Sequence, residues 1–438
     1  MSTDTTLAVA QPNRREIFAW VMYDWANSAY STLSITVLVS YLQAILPGET
    51  GVRAWGWGIG VTNLLVAILS PVLGAVADGR ATKRLWLTGT ALTGAIASAL
   101  MFFATPDRAW LLVVLFLIAQ LGMELAQGFY NGFLPELAGE KRMDRLSAQG
   151  FAVGYVGGGL SLLLFLLLFS LGTHIGLPSS DADPTSLLPR LGLLLMGVWW
   201  AVFTLPAVFW LRDRGKPKHD LSVAASALKA LREVKKTITN LKRYRMLFLF
   251  LLGFLFYNDG AQTVLSQASV FGKQELGMTA GELVQVVLMI QFVALPGALG
   301  IGYLSERLGA KVALVLCLAV WVALLVGAYF VSTKAEFWVL GGGVALVMGG
   351  IQSVSRSIMG KMTPVAHTAE FFGFFNLSSK AASMFGPVVF SEVLTRTHDA
   401  HNAILSLLLF FVVGWVIVSF VNVEAGRKQA VAEDAATK

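Results

Sequence analysis

Five ionisable side chains lie where ionisable groups are rare. Asp24, Glu124, Asp259, Arg356 and Lys380 each fall inside a long, mostly apolar run. A charge at the centre of a helix in lipid costs roughly 2.5–3.5 kcal/mol on an insertion scale. Each therefore needs a partner, a water-filled cavity or a task. A carboxylate in a low-dielectric setting takes up a proton readily and releases it beside a cation, so Glu124 or Asp259 has the chemistry of a proton carrier. Polar neighbours accompany them: Asn27 near Asp24; Gln127 and Asn131, 3 and 7 residues after Glu124; Asn258 and Gln262 around Asp259; and Gln352, 4 before Arg356 and on its face. Arg356 and Lys380 could hold a carboxylate, and Asp24 and Asp259 an amine. Both signs together suit a zwitterion such as an amino acid or small peptide. The alternative is a set of fixed ion pairs that hold helices in register.

The elements carrying these residues follow from composition. The chain has 438 residues, 56% hydrophobic and only 13% charged, with a mean hydropathy of +0.68. Soluble domains carry about 25% charged residues, so a soluble enzyme, a disordered protein and a nucleic-acid binder are excluded. A membrane helix needs about 20 apolar residues. Twelve such runs are present: Ile17–Leu46, Ala54–Ala77, Leu85–Ala104, Trp110–Phe133, Ala148–Leu171, Leu191–Leu211, Met246–Phe271, Leu283–Leu304, Val312–Ser332, Phe337–Gly360, Phe371–Leu394 and Ala403–Val423. With both termini cytoplasmic, 25 of the 33 Lys and Arg residues fall on the inside, Arg142 and Arg145 among them, and 6 fall outside. That is the positive-inside asymmetry, and it accounts for the net charge of +7 without nucleic acid. Arg356, about a turn from the inner end of its run, is placed to snorkel.

Residues 1–211 read as a first six-helix bundle, 212–245 as a basic cytoplasmic linker with an amphipathic helix capped by Asp220, and 246–438 as a second bundle. The N-terminal residues hold no hydrophobic signal core. Trp55, Trp57, Trp199 and Trp200 near span ends read as interface anchors. The lone Cys317, in an apolar run, reads as a small hydrophobe.

The two halves echo each other at an offset of 228 residues. Gly74-Ala-Val-Ala-Asp78-Gly-Arg80-Ala-Thr-Lys83 aligns with Gly302-Tyr-Leu-Ser-Glu306-Arg307-Leu-Gly309-Ala-Lys311, and Glu124 falls opposite Gln352. Two parallel six-helix repeats mark one class of secondary transporter. The second segment resembles the G-x-x-x-D/E-R-x-G-x-K/R loop of the major facilitator superfamily; the first is degenerate, with Gly79-Arg80 for the usual Arg-x and Ala81 for Gly. A closer resemblance, to the vacuole-effluxer-like family of that superfamily (fungal vacuolar amino-acid effluxers and bacterial relatives), rests on Tyr23-Asp-Trp-Ala-Asn-Ser-Ala-Tyr30, Phe129-Tyr-Asn-Gly-Phe-Leu-Pro-Glu136, Gly154-Tyr155, Phe256-Tyr-Asn-Asp-Gly260 and Gly349-Gly-Ile-Gln-Ser-Val-Ser-Arg-Ser357.

The resemblance implies an all-α membrane protein of twelve helices, a permease role, and a cavity lined mainly by helices 1, 4, 7 and 10, which carry four of the five intramembrane charges. It also implies a cytoplasmic gate at Gly74, Asp78, Lys83, Gly302, Glu306, Arg307, Gly309 and Lys311, with Asp78 and Glu306 accepting hydrogen bonds from helix N-termini across the bundle. The expected function is proton-coupled secondary transport of a small polar solute by a monomer in a prokaryotic cytoplasmic membrane, with amino-acid or small-peptide efflux as the finer reading. A sensor or lipid-moving protein on the same fold is the alternative. No phosphate-binding loop, protease motif or His-Glu-x-x-His is present, and neither cofactor nor metal is expected.

Overall fold

The computed structural model describes residues 13–46, 50–178, 186–214, 244–382 and 385–436, and these are helical and turn segments with no strand. The helices are α1 (Arg14–Leu33), α2 (Val39–Ile45), α3 (Thr50–Arg80), α4 (Lys83–Leu100), α5 (Ala109–Gly132), α6 (Leu134–His174), α7 (Leu187–Trp210), α8 (Arg245–Gln274), α9 (Ala280–Leu308), α10 (Ala310–Ala328), α11 (Lys334–Met362), α12 (Thr368–Ala382), α13 (Phe385–Thr397), α14 (Ala400–Ser406), α15 (Leu408–Ser419) and α16 (Val423–Ala436). Among them are 11 segments long and apolar enough to cross a membrane. The run at Phe371–Leu394 falls on α12 and α13, either side of residues 383–384, which lie outside the described set. So does the expected linker helix, which falls within residues 215–243.

Local chemistry sets several ends. Asn13 and Glu16 form a reciprocal capping box at the start of α1, as Thr279 with Glu282 does for α9 and Thr333 with Glu336 for α11. A π-helical stretch, Ser34–Leu38, joins α1 to α2 within one span. Gly139, at φ 56°, kinks α6 near its start. Pro71 and Pro296 sit inside α3 and α9.

Burial divides the interior into two clusters. One is built on residues such as Trp20, Tyr30, Phe116 and Trp200. The other is built on Phe250, Trp321, Met359 and Phe411. The seam between them is interlocked: Ala75 and Val76 of α3 join the second cluster, and Ala369 of α12 joins the first.

Candidate functional site

A cavity of about 670 Å³ lies between the halves. It is walled by the first span from Asp24 of α1 to Val39 of α2, α8 from Gln262 to Ser269, α9 from Leu283 to Gln291 and α11 from Phe337 to Gln352. These stretches are the halves of their helices farthest from Arg14 and Arg245, so the cavity opens at the face opposite the one that carries the first residues of α1. The π-helical stretch contributes Ile35 and Thr36 to the wall; such bulges frequently occur at functional sites. Hydroxyls and amides dominate its polar surface, among them Ser28, Thr32, Asn27, Gln127, Gln262 and Gln352. Asn27 donates to Gln127 at 3.2 Å, Tyr155 to Gln352 at 2.9 Å and Gln291 to Thr32 at 2.5 Å, the last two spanning the halves.

The floor is an ion pair. Arg356 Nη1 lies 3.4 Å from Asp24 Oδ2, which also accepts from the Tyr130 hydroxyl at 2.8 Å. Arg356 donates further to Ser147 Oγ (2.9 Å), the Ser147 carbonyl (2.7 Å) and Asn131 Oδ1 (3.3 Å). Its guanidinium stacks at 4.0 Å from the Phe151 ring centroid and 4.9 Å from that of Trp20. Contrary to the snorkelling expected, Arg356 is 1% exposed. Its donors are satisfied inside, as a buried charge requires.

The remaining charges stand apart from the cavity wall. Lys380 Nζ donates to Glu124 Oε1 at 2.6 Å, joining α12 to α5. Gln120 donates to the same oxygen at 3.0 Å and is held in turn by Tyr30 at 2.9 Å. Asp259 is fully buried; both its oxygens accept the Gly386 N–H at 3.0 Å, in the first turn of α13. Asn258 donates to Ser379 Oγ at 3.3 Å. Of the expected site residues, Asp24, Asn27, Gln262 and Gln352 line the cavity. Arg356 and Asn131 lie behind Asp24, off the cavity wall, whereas Glu124, Lys380, Asn258 and Asp259 belong to separate helix contacts. The carboxylate-binding pair Arg356 and Lys380, and the amine partner Asp259, are therefore not displayed to one ligand in this conformation.

The opposite end is sealed. Asp78 Oδ2 accepts the Glu370 N–H at 3.0 Å, and Lys83 Nζ pairs with Asp78 at 3.5 Å, with Glu136, and with Thr368 Oγ1 at 2.6 Å. Gly74 permits this approach, because a Cβ there would run into the Ala369 carbonyl. Across the second seam, Asp144 of α6 pairs with Lys361 at 2.6 Å and accepts from Ser357, and Ser147 Oγ donates to the Ser353 carbonyl at 2.8 Å. Gly302 packs there against Ala148. Its motif companions do not take part as expected. Glu306 is exposed, Arg307 stacks on Tyr303 at 4.4 Å, Gly309 (φ 90°) ends α9, and Lys311 donates to the Ser419 carbonyl at 2.7 Å.

Sequence reasoning passed over Glu136, Asp144, Ser147, Ser357 and Thr368. The signal for Asp144 was its place three residues before Ser147, on a helix that turns both toward α11. Two of the expected interface tryptophans are interior: Trp200 is fully buried, and Trp55 lines the cavity, stacked 4.9 Å from Phe116.

Comparison with known proteins places this architecture. Residues 57–431 match a family model described as vacuole effluxer Atg22 like. An MFS-type transporter of Bacillus subtilis, YxiO, is 34% identical over 413 residues, covering 93% of this chain and 94% of that protein. Autophagy-related protein 22-1 of Penicillium rubens is 27% identical over 311 residues, covering 66% of this chain and 50% of its own length. Among solved structures, the major facilitator superfamily transporter FucP in its outward conformation superposes with a TM-score of 0.72 at 15% identity, covering 93% of this chain and 98% of that one.

Proposed function

Because the chain belongs to the vacuole effluxer Atg22-like family of major facilitator superfamily transporters, we propose that it moves a small polar solute by alternating access, driven by protons, with the present conformation open at the non-cytoplasmic face. It is a multi-pass membrane protein, and its family consists of transporters rather than enzymes. The observation that carries the mechanism is the asymmetry of access: a cavity of about 670 Å³ reaches in from one face and stops at Asp24, while charged networks close the other. In a twelve-helix arrangement of two bundles, residues 1–211 and 246–438, with both termini cytoplasmic, the closed face is the inner one.

Transport then requires the inner contacts to open and the outer polar wall to close. The groups to be parted are Asp78 from the Glu370 N–H, Lys83 from Thr368, Asp144 from Lys361, and Asp24 from Arg356. Each crosses between halves, so each weighs one state against the other. Asp24 is the acidic group facing the cavity and would meet an amine. An amino-acid or small-peptide substrate fits that half of the site and the family's effluxer description. Its carboxylate would meet hydroxyls and amides in this state and Arg356 only once the floor opens.

Proton coupling falls to Glu124. Its pair with Lys380 crosses the halves, and the Lys380 side chain is 22% exposed, so a proton on Glu124 would release that contact. Asp259, held by the Gly386 N–H, serves instead to position α13. The test is solute flux in proteoliposomes under an imposed pH gradient: Glu124→Gln should transport down a solute gradient without responding to the pH gradient. A full pH response in that variant would overturn the assignment, and absence of flux for every amino acid and peptide tried would overturn the substrate class.

A further inference from the structure

A second recess lies at the chain-end face, on the far side of α6 from the cavity. It encloses about 230 Å³ between α1 and α6 and is lined by Arg142, Arg145 and Gln149 together with Ile17, Ala138 and Leu146. Both arginines are exposed, and neither has an ion-pair partner among the described residues. The described acids of α6 and of the first turn of α1 are committed elsewhere: Asp144 to Ser357 and Lys361, Glu136 to Lys83, and Glu16 to Arg214 at 2.6 Å. The Gly139 kink turns the first residues of α6 so that Ala138 closes one side.

The helix face settles what this recess meets. Arg142, Arg145 and Gln149 lie 18 residues before Leu160, Leu163 and Leu167, and 18 residues is five turns of an α-helix. The basic and leucine positions therefore share one stripe. Those leucines are 36%, 36% and 59% exposed, and Leu171 beyond them is 60% exposed. In a membrane-spanning helix, an exposed leucine face is lipid-facing. The stripe rises about 27 Å over those 18 residues, close to the hydrocarbon thickness of a bilayer. Two guanidiniums without an ion-pair partner among the described residues thus sit at the headgroup level, at the foot of an acyl-chain track.

We propose that this recess binds the headgroup of an anionic phospholipid, with Arg142 and Arg145 on the phosphate, Gln149 donating beside them, and the acyl chain following the stripe from Gln149 toward Leu160, about half the bilayer. Planar guanidinium forks suit a phosphate diester, and basic pockets between helices at the cytoplasmic interface are recognisable lipid sites. The site is separate from the transport cavity and does not depend on the substrate assigned above.

Native mass spectrometry of the full-length protein, released from an equimolar mixture of phosphatidylglycerol and phosphatidylcholine, tests this. The wild type should retain phosphatidylglycerol over phosphatidylcholine. Each arginine lost should lower that ratio roughly fivefold, the worth of one basic residue near a charged bilayer surface. Arg142→Lys with Arg145→Lys should keep most of the preference, and Arg108→Gln, at the opposite face, should keep all of it. An unchanged ratio in Arg142→Gln with Arg145→Gln, at an unchanged melting temperature, overturns the proposal. Displacement of the lipid by millimolar inorganic phosphate would assign the site to free phosphate and also overturn it.

Discussion

The two copies of the Gly-x-x-x-acid loop motif differ in engagement, and the better match to the superfamily pattern is the idle one. In the first copy, Asp78 and Lys83 are 9% and 3% exposed and bridge to α12. In the second, Glu306 is exposed, and Arg307 and Lys311 bond within their own half. The cause lies in the partner helix. α12 begins at Thr368, so the Glu370 N–H is one of the first-turn donors that a helix leaves without an internal acceptor, and Asp78 takes it. α6 restarts after the Gly139 kink, but the residues that meet Gly302, Asp144 and Ala148, lie beyond the first turn of that segment, so their amides are already spent inside the helix. The second seam closes through side chains instead, with Asp144 on Lys361 and Ser357.

The comparison can be broken most directly at its charges. Lys83→Ala leaves Asp78 and Glu136 buried with their cation gone. It should cost about 3–5 kcal/mol, measured as a drop in thermal stability with increased labelling of inner-face cysteine reporters. Glu306→Gln should stay within about 0.5 kcal/mol of wild type. An equal effect of the two would end the asymmetry. Asp144→Asn comes next, at about 1–3 kcal/mol for a charged hydrogen-bonding group, read by the same labelling; it should open the second seam without disturbing reporters along α3.

The glycines sharpen the contrast. Gly74→Ala drives a methyl into the Ala369 backbone carbonyl and should cost about 1–3 kcal/mol with no single-residue rescue. Gly302→Ala meets only the Ala148 side chain, so Ala148→Gly should restore its melting temperature. The smallest effect concerns the aligned positions Ala81 and Gly309, both at positive φ (52° and 90°). Ala81→Gly should relieve left-handed strain and raise stability by up to about 1 kcal/mol, visible as a small rise in melting temperature.

Much of this fold was legible because lipid imposes simple demands. Twenty-residue apolar runs, basic flanks and the 228-residue offset all register in one dimension. The intramembrane charges were legible as a set, since burying each demands a reason. Their pairing was not. Asp24 with Arg356 and Glu124 with Lys380 are partners across 332 and 256 residues, and spacing carries no trace of such contacts. Asp259 was misplaced because its partner is a backbone N–H, which every residue but proline offers. Glu136 and Asp144 escaped notice because they sit at helix starts, where acids are ordinary.

The π-helical turn at Ser34–Leu38 amounts to one extra residue wound into the first span. Each residue of an α-helix turns the chain by about 100°. The π turn absorbs its extra residue by widening, so the outer tip keeps the phase set by the segment that carries Asp24. At the tip, Tyr41 donates to the Ala104 carbonyl at 2.7 Å, tying the rim to the end of α4. Deleting one residue from Ser34–Leu38 would let the span run as a plain α-helix with Asp24 and Tyr41 still in phase, whereas inserting one between Val39 and Ser40 would swing Tyr41 about a quarter-turn out of reach of its acceptor. The rim would be unmoored while the floor stayed intact.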